Sequence, residues 1–520
     1  MRIGIDVGGT NTDAVLMDGE QVLAAVKTST TPDVTDGIVA ALRALGEQRS
    51  FDPADVLAVM IGTTHFTNAI VEARRLAPTA AIRLGLPATR ALPPMVDWPD
   101  RLAAALGRHV HLCHGGHEFD GRTISPLDRD ELRAVAEDIA GKGIGSVAIS
   151  SVFSPVNAEY ETEAAAIVRE VAPGAHISLS HEVGRMGLLE RENATIINAC
   201  LRGLAAEITD AFARAIADAG ISAPLFLSQN DGTLMDVGYA RHYPVATFAS
   251  GPTNSMRGAA FLSGLEACAV VDVGGTTTDV GILHKGFPRE ASTEVDIGGV
   301  RTNFRMPDVL SVGIGGGSLV RGEPAGVTVG PDSVGYELTS RALVFGGDTL
   351  TATDLAVAAG LAEIGDAEAA RGIDPALVRA GIDRVAQDVS VVVDRMRTSA
   401  TPLPVVAVGG GSILVPDVLE GASEVRRPEH FAVANAIGAA IAQVGGEVDR
   451  MFAIEPGTRD QVLDAAKQEA VDKAVSAGAR PGTVEIFDVE EVPLAYLPGN
   501  ATRIRIKAVG ELQLAERVHA

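Results

Sequence analysis

The sequence predicts an α/β protein in which two similar domains face one another across a cleft. A short glycine hairpin occurs twice, strand-like and helix-like segments alternate between the two copies, and a third glycine loop follows a later apolar strand. Composition agrees, because 46% of the 520 residues are hydrophobic and only 4% aromatic, as aliphatic strands and Ala-rich helices would give. A chain of this length exceeds one compact core and should divide into several globular parts.

The repeat aligns Asp6-Val7-Gly8-Gly9-Thr10-Asn11-Thr12-Asp13 with Asp272-Val273-Gly274-Gly275-Thr276-Thr277-Thr278-Asp279, seven of eight positions being identical. Each copy follows an apolar run (residues 3–7 and 269–273) and leads into another (14–17 and 280–283), which reads as strand, glycine turn, strand. Between the copies, residues 56–61 read as a strand ending in Gly62-Thr63-Thr64, with a helix over 67–75. Leu132, Val135 and Ile139 mark a helix over 128–142, a strand follows at 146–150, and 159–171 and 196–219 read as further helices. After the second copy come Gly313-Ile314-Gly315-Gly316-Gly317-Ser318 and the strand-turn unit Val405-Val406-Ala407-Val408-Gly409-Gly410-Gly411-Ser412. From residue 447 an Ala/Lys/Glu helix (458–477) and two strand-like segments (484–489, 501–509) suggest a small C-terminal α+β appendage. The expected domains are therefore 1–175, 176–446 and 447–520.

Charge and cysteine usage exclude several classes. A formal charge of −24 repels a phosphodiester backbone, and no Lys/Arg stripe offsets it, so nucleic acid is not an expected partner. Cys113, Cys200 and Cys268 form no CxxC pair, which fits a reducing compartment. The amino terminus starts on a strand without an export signal, and the longest apolar stretches (405–415 and 431–444) are broken by glycine or polar residues, so a soluble cytoplasmic protein is expected.

A Gly-Gly pair lets backbone N–H groups approach phosphate oxygens, and Thr and Asn side chains add neutral donors. The preceding aspartate suits Mg²⁺ held through water. One copy alone is equally well a tight hairpin; two copies and a third loop point to a nucleotide. The neighbouring Ala434-Asn435-Ala436-Ile437-Gly438-Ala439-Ala440 is a small-residue helix suited to close packing or a hinge.

Further motifs make a resemblance specific. The stretch from Ile3 through Asp13, then Gly62-Thr63-Thr64-His65-Phe66-Thr67-Asn68-Ala69-Ile70-Val71-Glu72, is similar to signatures of the hydantoinase/oxoprolinase family, A-type (ATP-binding) subunit. So are Ser250-Gly251-Pro252 after Gln229-Asn230-Asp231-Gly232, and Thr351-Ala352-Thr353-Asp354-Leu355 after Phe345-Gly346-Gly347. The chain resembles a short form, because the resemblance runs in family order to about residue 445, only about 75 residues follow, and Gly330-Pro331-Asp332-Ser333-Val334-Gly335-Tyr336 departs from the PGPxCYG form of longer members.

The resemblance implies duplicated actin/sugar-kinase/Hsp70-like (ribonuclease H-like) ATPase domains around a nucleotide cleft. It implies hydrolysis of a hydantoin, oxoproline or lactam-type cyclic amide, in which ATP phosphorylates the amide oxygen, with a B-type subunit, another partner or a second copy sharing the work. An ATP-dependent carboxylase subunit is the alternative within enzymes. A non-enzymatic nucleotide switch and a sugar kinase are the others.

By position on the motifs, Asp6 and Asp272 are expected to serve Mg²⁺ and phosphate, and Asp13 or Asp279 to support the hairpin or position water. Gly8, Gly9, Thr10, Asn11 and Thr12, with Gly274, Gly275, Thr276, Thr277 and Thr278, would cradle phosphates, and Gly409, Gly410 and Gly411 would flank the adenosine. Thr63, Thr64 and Asn68 are candidates for substrate or γ-phosphate contact, or alternatively cap the following helix. His109, His111 and Cys113 share one strand face and could hold Zn²⁺, although nearby turn signals would separate His117 from them. Gly315-Gly316-Gly317 could bind a second anion or permit close packing. Glu190-Arg191-Glu192-Asn193 reads as a solvated charge cluster.

Overall fold

Two hairpins of matching register build the two central sheets. In the first, strand Arg2–Val7 pairs antiparallel with Asn11–Asp18 so that Asp6 faces Asp13 and Val7 faces Thr12. In the second, Cys268–Val273 pairs with Thr278–His284 so that Asp272 faces Asp279 and Val273 faces Thr278. The same bond closes each turn: Gly8 N–H donates to the Asn11 carbonyl at 3.0 Å, and Gly274 N–H to the Thr277 carbonyl at 2.8 Å. Each leading strand also has a parallel neighbour, Ala58–Thr63 in the first case and Leu403–Val408 in the second. The two hairpins and their parallel neighbours thus repeat one arrangement, as the duplicated α/β fold expected from the sequence requires. The leading strands are apolar at consecutive positions because elements cover both faces; Ile3, Ile5 and Val7 pack into one core while Gly4 abuts a helix on the other side. The computed structural model describes residues 1–9, 11–29, 34–291, 295–304, 306–455, 457–494 and 501–514, so Thr10 of the first turn lies outside the described residues.

The first sheet has nine strands, in the order Glu485–Pro493, Ala501–Gly510, Gln443–Ala453, Thr233–Asp236, Leu225–Ser228, Ala58–Thr63, Arg2–Val7, Asn11–Asp18, Gln21–Ser29. The C-terminal segment expected as a separate appendage thus extends this sheet. Composition changes near residue 447, but the strand Gln443–Ala453 runs across that point and pairs in parallel with Thr233–Asp236. The helix Arg459–Ser476 then seals the extension by packing Leu463, Ala466, Ala470 and Ala474 against Ile504, Ile506 and Ala508.

A smaller parallel sheet, His109–His114, Thr79–Leu86, Ser146–Ser151, His176–Leu179, stands beside the first. Helix Arg129–Gly141 packs on it, its first turn capped by Asp128, whose carboxylate accepts from the N–H groups of Asp130 and Glu131. The long helix Leu188–Asp218 starts well ahead of residue 196, because its opening turns bury charge rather than apolar side chains. Arg191 and Glu192, expected in a solvated cluster, are only 0% and 2% exposed. Arg83 grips Glu192 with Nε (2.7 Å) and a second guanidinium N–H, and Ser150 Oγ donates to the same carboxylate at 2.6 Å. Arg191 donates to the Ser151 carbonyl and to Ser180 Oγ, so both charges bind the helix to the small sheet.

Helix Ser250–Ser263 and the small-residue helix Ala434–Ala440 cross in contact under the first hairpin. A Cβ on Gly258 would lie 1.9 Å from the Ala434 carbonyl oxygen, and one on Gly438 would lie 1.8 Å from that of Asn254. Only a missing side chain permits this approach. Gly258→Ala is therefore expected to destabilise the protein by about 1–3 kcal/mol, read as a lower midpoint of denaturant unfolding; an unchanged midpoint would refute the tight crossing. Among the described residues, no helix is long and apolar enough to cross a membrane.

Candidate functional site

The two glycine turns, the turn after Leu403–Val408 and the start of helix Ala434–Ala440 enclose a cavity of about 170 Å³. Gly8, Gly9, Asn11 and Asp13 line it from the first hairpin, Asp272, Gly274, Gly275, Thr276 and Thr277 from the second, and Gly409 and Gly410 from the third loop. Segments far apart in sequence therefore meet where a phosphate chain could lie between opposed backbone N–H groups. A Cβ on Gly9 would meet nothing within 4 Å, so its surface is open. Gly409 is required for a different reason. Its φ is +82°, and a Cβ there would fall 2.2 Å from Asp272 Oδ1 and 2.5 Å from the Val273 carbonyl oxygen. Gly411 stands behind the lining, its N–H donating to the Val273 carbonyl at 2.8 Å.

Several expected contacts are corrected by burial. Thr12 and Thr278 are fully buried and do not line the cavity, and Thr278 Oγ1 donates to the Ile314 carbonyl at 2.7 Å, bracing the second turn. Asp279, although paired with Asp272 in register, does not line the cavity and accepts from Ser311 Oγ at 2.5 Å. Gly315-Gly316-Gly317 is a packing loop for the second turn: Gly316 and Gly317 N–H groups donate to the Gly274 and Gly275 carbonyls at 3.0 and 2.8 Å.

Three polar side chains missed in sequence also line it, Lys27, Ser255 and Asn435, beside the alanines Ala432 and Ala434. Lys27 is the one basic side chain among the described lining residues. Its Nζ lies 2.5 Å from Asp13 Oδ1, and its charge also acts on Asp272. Asn435 Nδ2 donates to Asp6 Oδ2 at 3.0 Å and to Asp13 Oδ2 at 2.8 Å, tying the first hairpin to the helix that crosses under it. Asp6 stands just behind the lining, and its Oδ1 is buried without a hydrogen bond. A Cβ on Gly62 would sit 2.3 Å from that oxygen and 2.4 Å from Asn254 Nδ2, which explains the glycine in Gly62-Thr63-Thr64.

Burial dominates the electrostatics of these carboxyls. It pushes Asp6 up to about 6, with Asp13 adding to the effect and the Asn254 and Asn435 amides opposing it. It also raises Asp272, against the Ser255 hydrogen bond and the Lys27 charge, and takes Asp279 to about 6 against Ser311. Because the folded pKa of Asp6 lies above its usual 3.8, the charged carboxylate destabilises the ligand-free fold above pH 6, and this is relieved as pH falls from about 6 toward 4. Asp6→Asn is accordingly expected to raise the melting temperature of nucleotide-free protein at pH 7.5, with a gain that shrinks by pH 5. A gain that grows on acidification would reverse the sign and refute the assignment.

The residue set fits a magnesium nucleotide. Asp272 lines the cavity between two glycine turns, and Asp6, tied to the lining residue Asn435 through Oδ2, keeps its other oxygen without a hydrogen bond. Among the described residues no three His, Cys, Asp or Glu side chains are grouped to hold a metal. Magnesium needs only one or two carboxylates when it keeps its waters and bridges phosphates. The zinc trio is corrected by the same observation: the strand does put His109, His111 and Cys113 on one face, but Cys113 is packed into the core of the small sheet, and burial pushes its thiol up to about 12.

Thr63 and Thr64 end the strand beside the first hairpin, Thr63 opposite Val7. Thr63 Oγ1 is 2.6 Å from His65 Nδ1, and Ser250 Oγ donates to the Thr63 carbonyl at 3.4 Å. Thr64 occupies the N-cap position of helix His65–Glu72 but makes no side-chain cap bond, and neither threonine nor Asn68 lines the cavity.

Comparison with known proteins gives two consecutive family matches. Residues 2–172 match the family model described as hydantoinase/oxoprolinase N-terminal region, and residues 191–369 the model described as hydantoinase/oxoprolinase. The chain is 28% identical over 390 residues to the caprolactamase subunit alpha of Pseudomonas jessenii, covering 69% of this chain and 54% of that protein. It is 27% identical over 392 residues to the acetophenone carboxylase gamma subunit of Aromatoleum aromaticum, covering 69% and 53%. It thus spans about half the length of the curated relatives it matches. A crystal structure of the ATP-dependent caprolactamase from Pseudomonas jessenii superposes with a TM-score of 0.79 at 20% identity, over 100% of this chain and 90% of that one.

Proposed function

The chain belongs to the hydantoinase/oxoprolinase family, and from that premise we propose that it binds Mg-ATP between its glycine hairpins and phosphorylates the carbonyl oxygen of a cyclic amide. The observation that carries this reading is the convergence of both turns, Asp272, Lys27 and the third loop on one cavity. Resonance protects an unstrained hydantoin, oxoproline or lactam against water. Transfer of the γ-phosphoryl group to the amide oxygen breaks the bond to ADP and removes that protection, leaving a carbon that a nucleophile can attack.

Phosphoryl transfer is mainly positioning and charge stabilisation, and the residues divide accordingly. Backbone N–H groups of Gly9 and Gly275 hold phosphate oxygens, Gly8 and Gly274, whose own N–H groups close the turns, let the phosphates approach the backbone, and Asn11, Thr276 and Thr277 are neutral donors. Asp272, with Asp6 tied to the same lining through Asn435, would hold magnesium, which would supply neutralisation of phosphate charge. Lys27, paired with Asp13, adds a fixed positive charge. Gly409 and Gly410 flank the adenosine, Gly411 holds their loop, and Asp279 supports the second hairpin. Thr64 and Asn68, at the strand end and helix start beside the first turn, contact the substrate, whereas Thr63, expected there too, is buried with its hydroxyl against His65.

The relatives are named as subunits, which supports assembly with a partner; in this reading the partner is a B-type subunit that completes hydrolysis, or a further copy of this chain, in the cytoplasm. A carboxylase role is the second reading, because the match to the acetophenone carboxylase subunit is of nearly equal extent. Phosphate release from Mg-ATP by the chain, alone and with co-purifying protein, separates them. Stimulation by hydantoin, oxoproline or a lactam is expected; stimulation by a ketone with bicarbonate alone would transfer the function to the carboxylase branch.

A further inference from the structure

A second cavity, of about 520 Å³, opens between the small parallel sheet, the segment around Tyr239 and Tyr243, and the C-terminal strands. It shares no lining residue with the glycine-loop cavity. Its size is that of a small-molecule site. The charged groups on its wall are almost all paired with protein. Arg503 holds Asp449 at 2.6 Å, Arg450 and Lys473 both hold Glu469, and Asp231 holds Lys507 at 2.8 Å. Glu447 holds Arg505, and Glu182 accepts from the Tyr243 hydroxyl at 3.1 Å.

Two groups on the wall, Arg185 and His181, keep nitrogens that no described protein atom uses. Arg185 has one ion pair, to Glu290 at 3.5 Å, and the other oxygen of Glu290 is taken by Arg505. The Arg185 Nε is buried and makes no hydrogen bond. A buried guanidinium N–H without an acceptor is costly to leave unmatched. His181 is held in one orientation by Glu161, which is 0% exposed and accepts from His181 Nδ1 at 2.6 Å, His181 N–H at 3.1 Å, Ser151 N–H at 2.8 Å and Ser180 Oγ at 2.5 Å. A carboxylate can only accept, so Nδ1 carries the proton and Nε2 is left for the cavity. Nε2 makes no hydrogen bond among the described residues. Burial works against the imidazolium, but the bond to Glu161 and its charge outweigh this and lift His181 above its ordinary value, with Glu182 adding and Arg191 opposing.

We propose that this cavity is a second ligand site that takes a small oxyanion, a carboxylate or a phosphate, between His181 and Arg185. The Arg185 guanidinium and, when His181 is protonated, its Nε2–H held in orientation by Glu161 match the paired oxygens of such a group. Glu161 acts through His181 as a positioning residue. The site stands on its own geometry and does not depend on the reading of the glycine-loop cavity.

Calorimetric titration of the full chain, with the glycine-loop cavity filled by Mg-ADP, uses inorganic phosphate in one arm and acetate in the other, and the tighter arm identifies the source of the oxyanion. His181→Gln and Arg185→Gln are each expected to weaken the tighter anion by at least about tenfold, with part of the loss restored by Arg185→Lys. Raising the Mg-ADP concentration further should leave this affinity unchanged, which separates the site from the glycine-loop cavity. Melting curves matching the parent establish that each variant is folded. Binding of neither anion by the parent protein, or binding that withstands both substitutions, overturns the proposal.

Discussion

Replacing Asp272 by alanine is expected to lower Mg-ATP turnover by at least about 100-fold, or about 2.7 kcal/mol of transition-state stabilisation. Asp272 is the carboxylate that lines the cavity from the second hairpin, and Gly409 leaves room for its Oδ1 where any Cβ would collide. Alanine removes the anion without altering the strand, which is fixed by pairing with Thr278–His284 and Leu403–Val408. Asp279→Ala is the internal comparison, since that carboxylate faces Ser311 rather than the cavity, and a much smaller loss is expected. Steady-state phosphate release with stimulating substrate measures both. Equal losses in the two variants would mean that the second hairpin acts as a structural unit and that Asp272 has no special role.

The largest effect on stability is expected at Glu192. Glu192→Ala should destabilise the protein by about 3–5 kcal/mol, because it leaves the Arg83 guanidinium, fully buried in the small sheet, without its counter-charge. Replacing both partners by apolar residues of similar volume, Arg83→Met with Glu192→Leu, should recover most of that loss. Denaturant unfolding reads the difference. A single substitution changing stability by less than about 1 kcal/mol would show that the charges are solvated after all.

The glycine hairpins were legible in sequence because each is short, repeated and flanked by apolar runs, so their fold depends on neighbours in the chain. The residues that complete the cavity come from elsewhere. Asn435 lies 429 positions from Asp6, and nothing in its small-residue helix marks one side chain as a cavity group. Lys27 could nearly be counted from the hairpin register, but a bulge between Leu16 and Met17 shifts the pairing by one, bringing Lys27 rather than Val26 opposite Asp13.

Charge patterning misled for a related reason. Glu190-Arg191-Glu192-Asn193 has the look of a surface face, and only a partner 109 positions away makes Glu192 a core residue. The alternation that aligned His109, His111 and Cys113 was correct for a strand, yet periodicity cannot say that the cysteine's environment is a hydrophobic core. The C-terminal segment read as separate because composition changes along the chain, whereas sheet membership is decided by hydrogen bonding between distant strands.

The central claim is that two opposed glycine hairpins form one Mg-nucleotide site, and direct calorimetric binding of Mg-ADP to the isolated chain tests it most directly. The expected result is a single site per chain that requires magnesium and is abolished by Asp272→Ala. Failure of the folded parent protein to bind, or binding that is indifferent to both magnesium and Asp272, would contradict it.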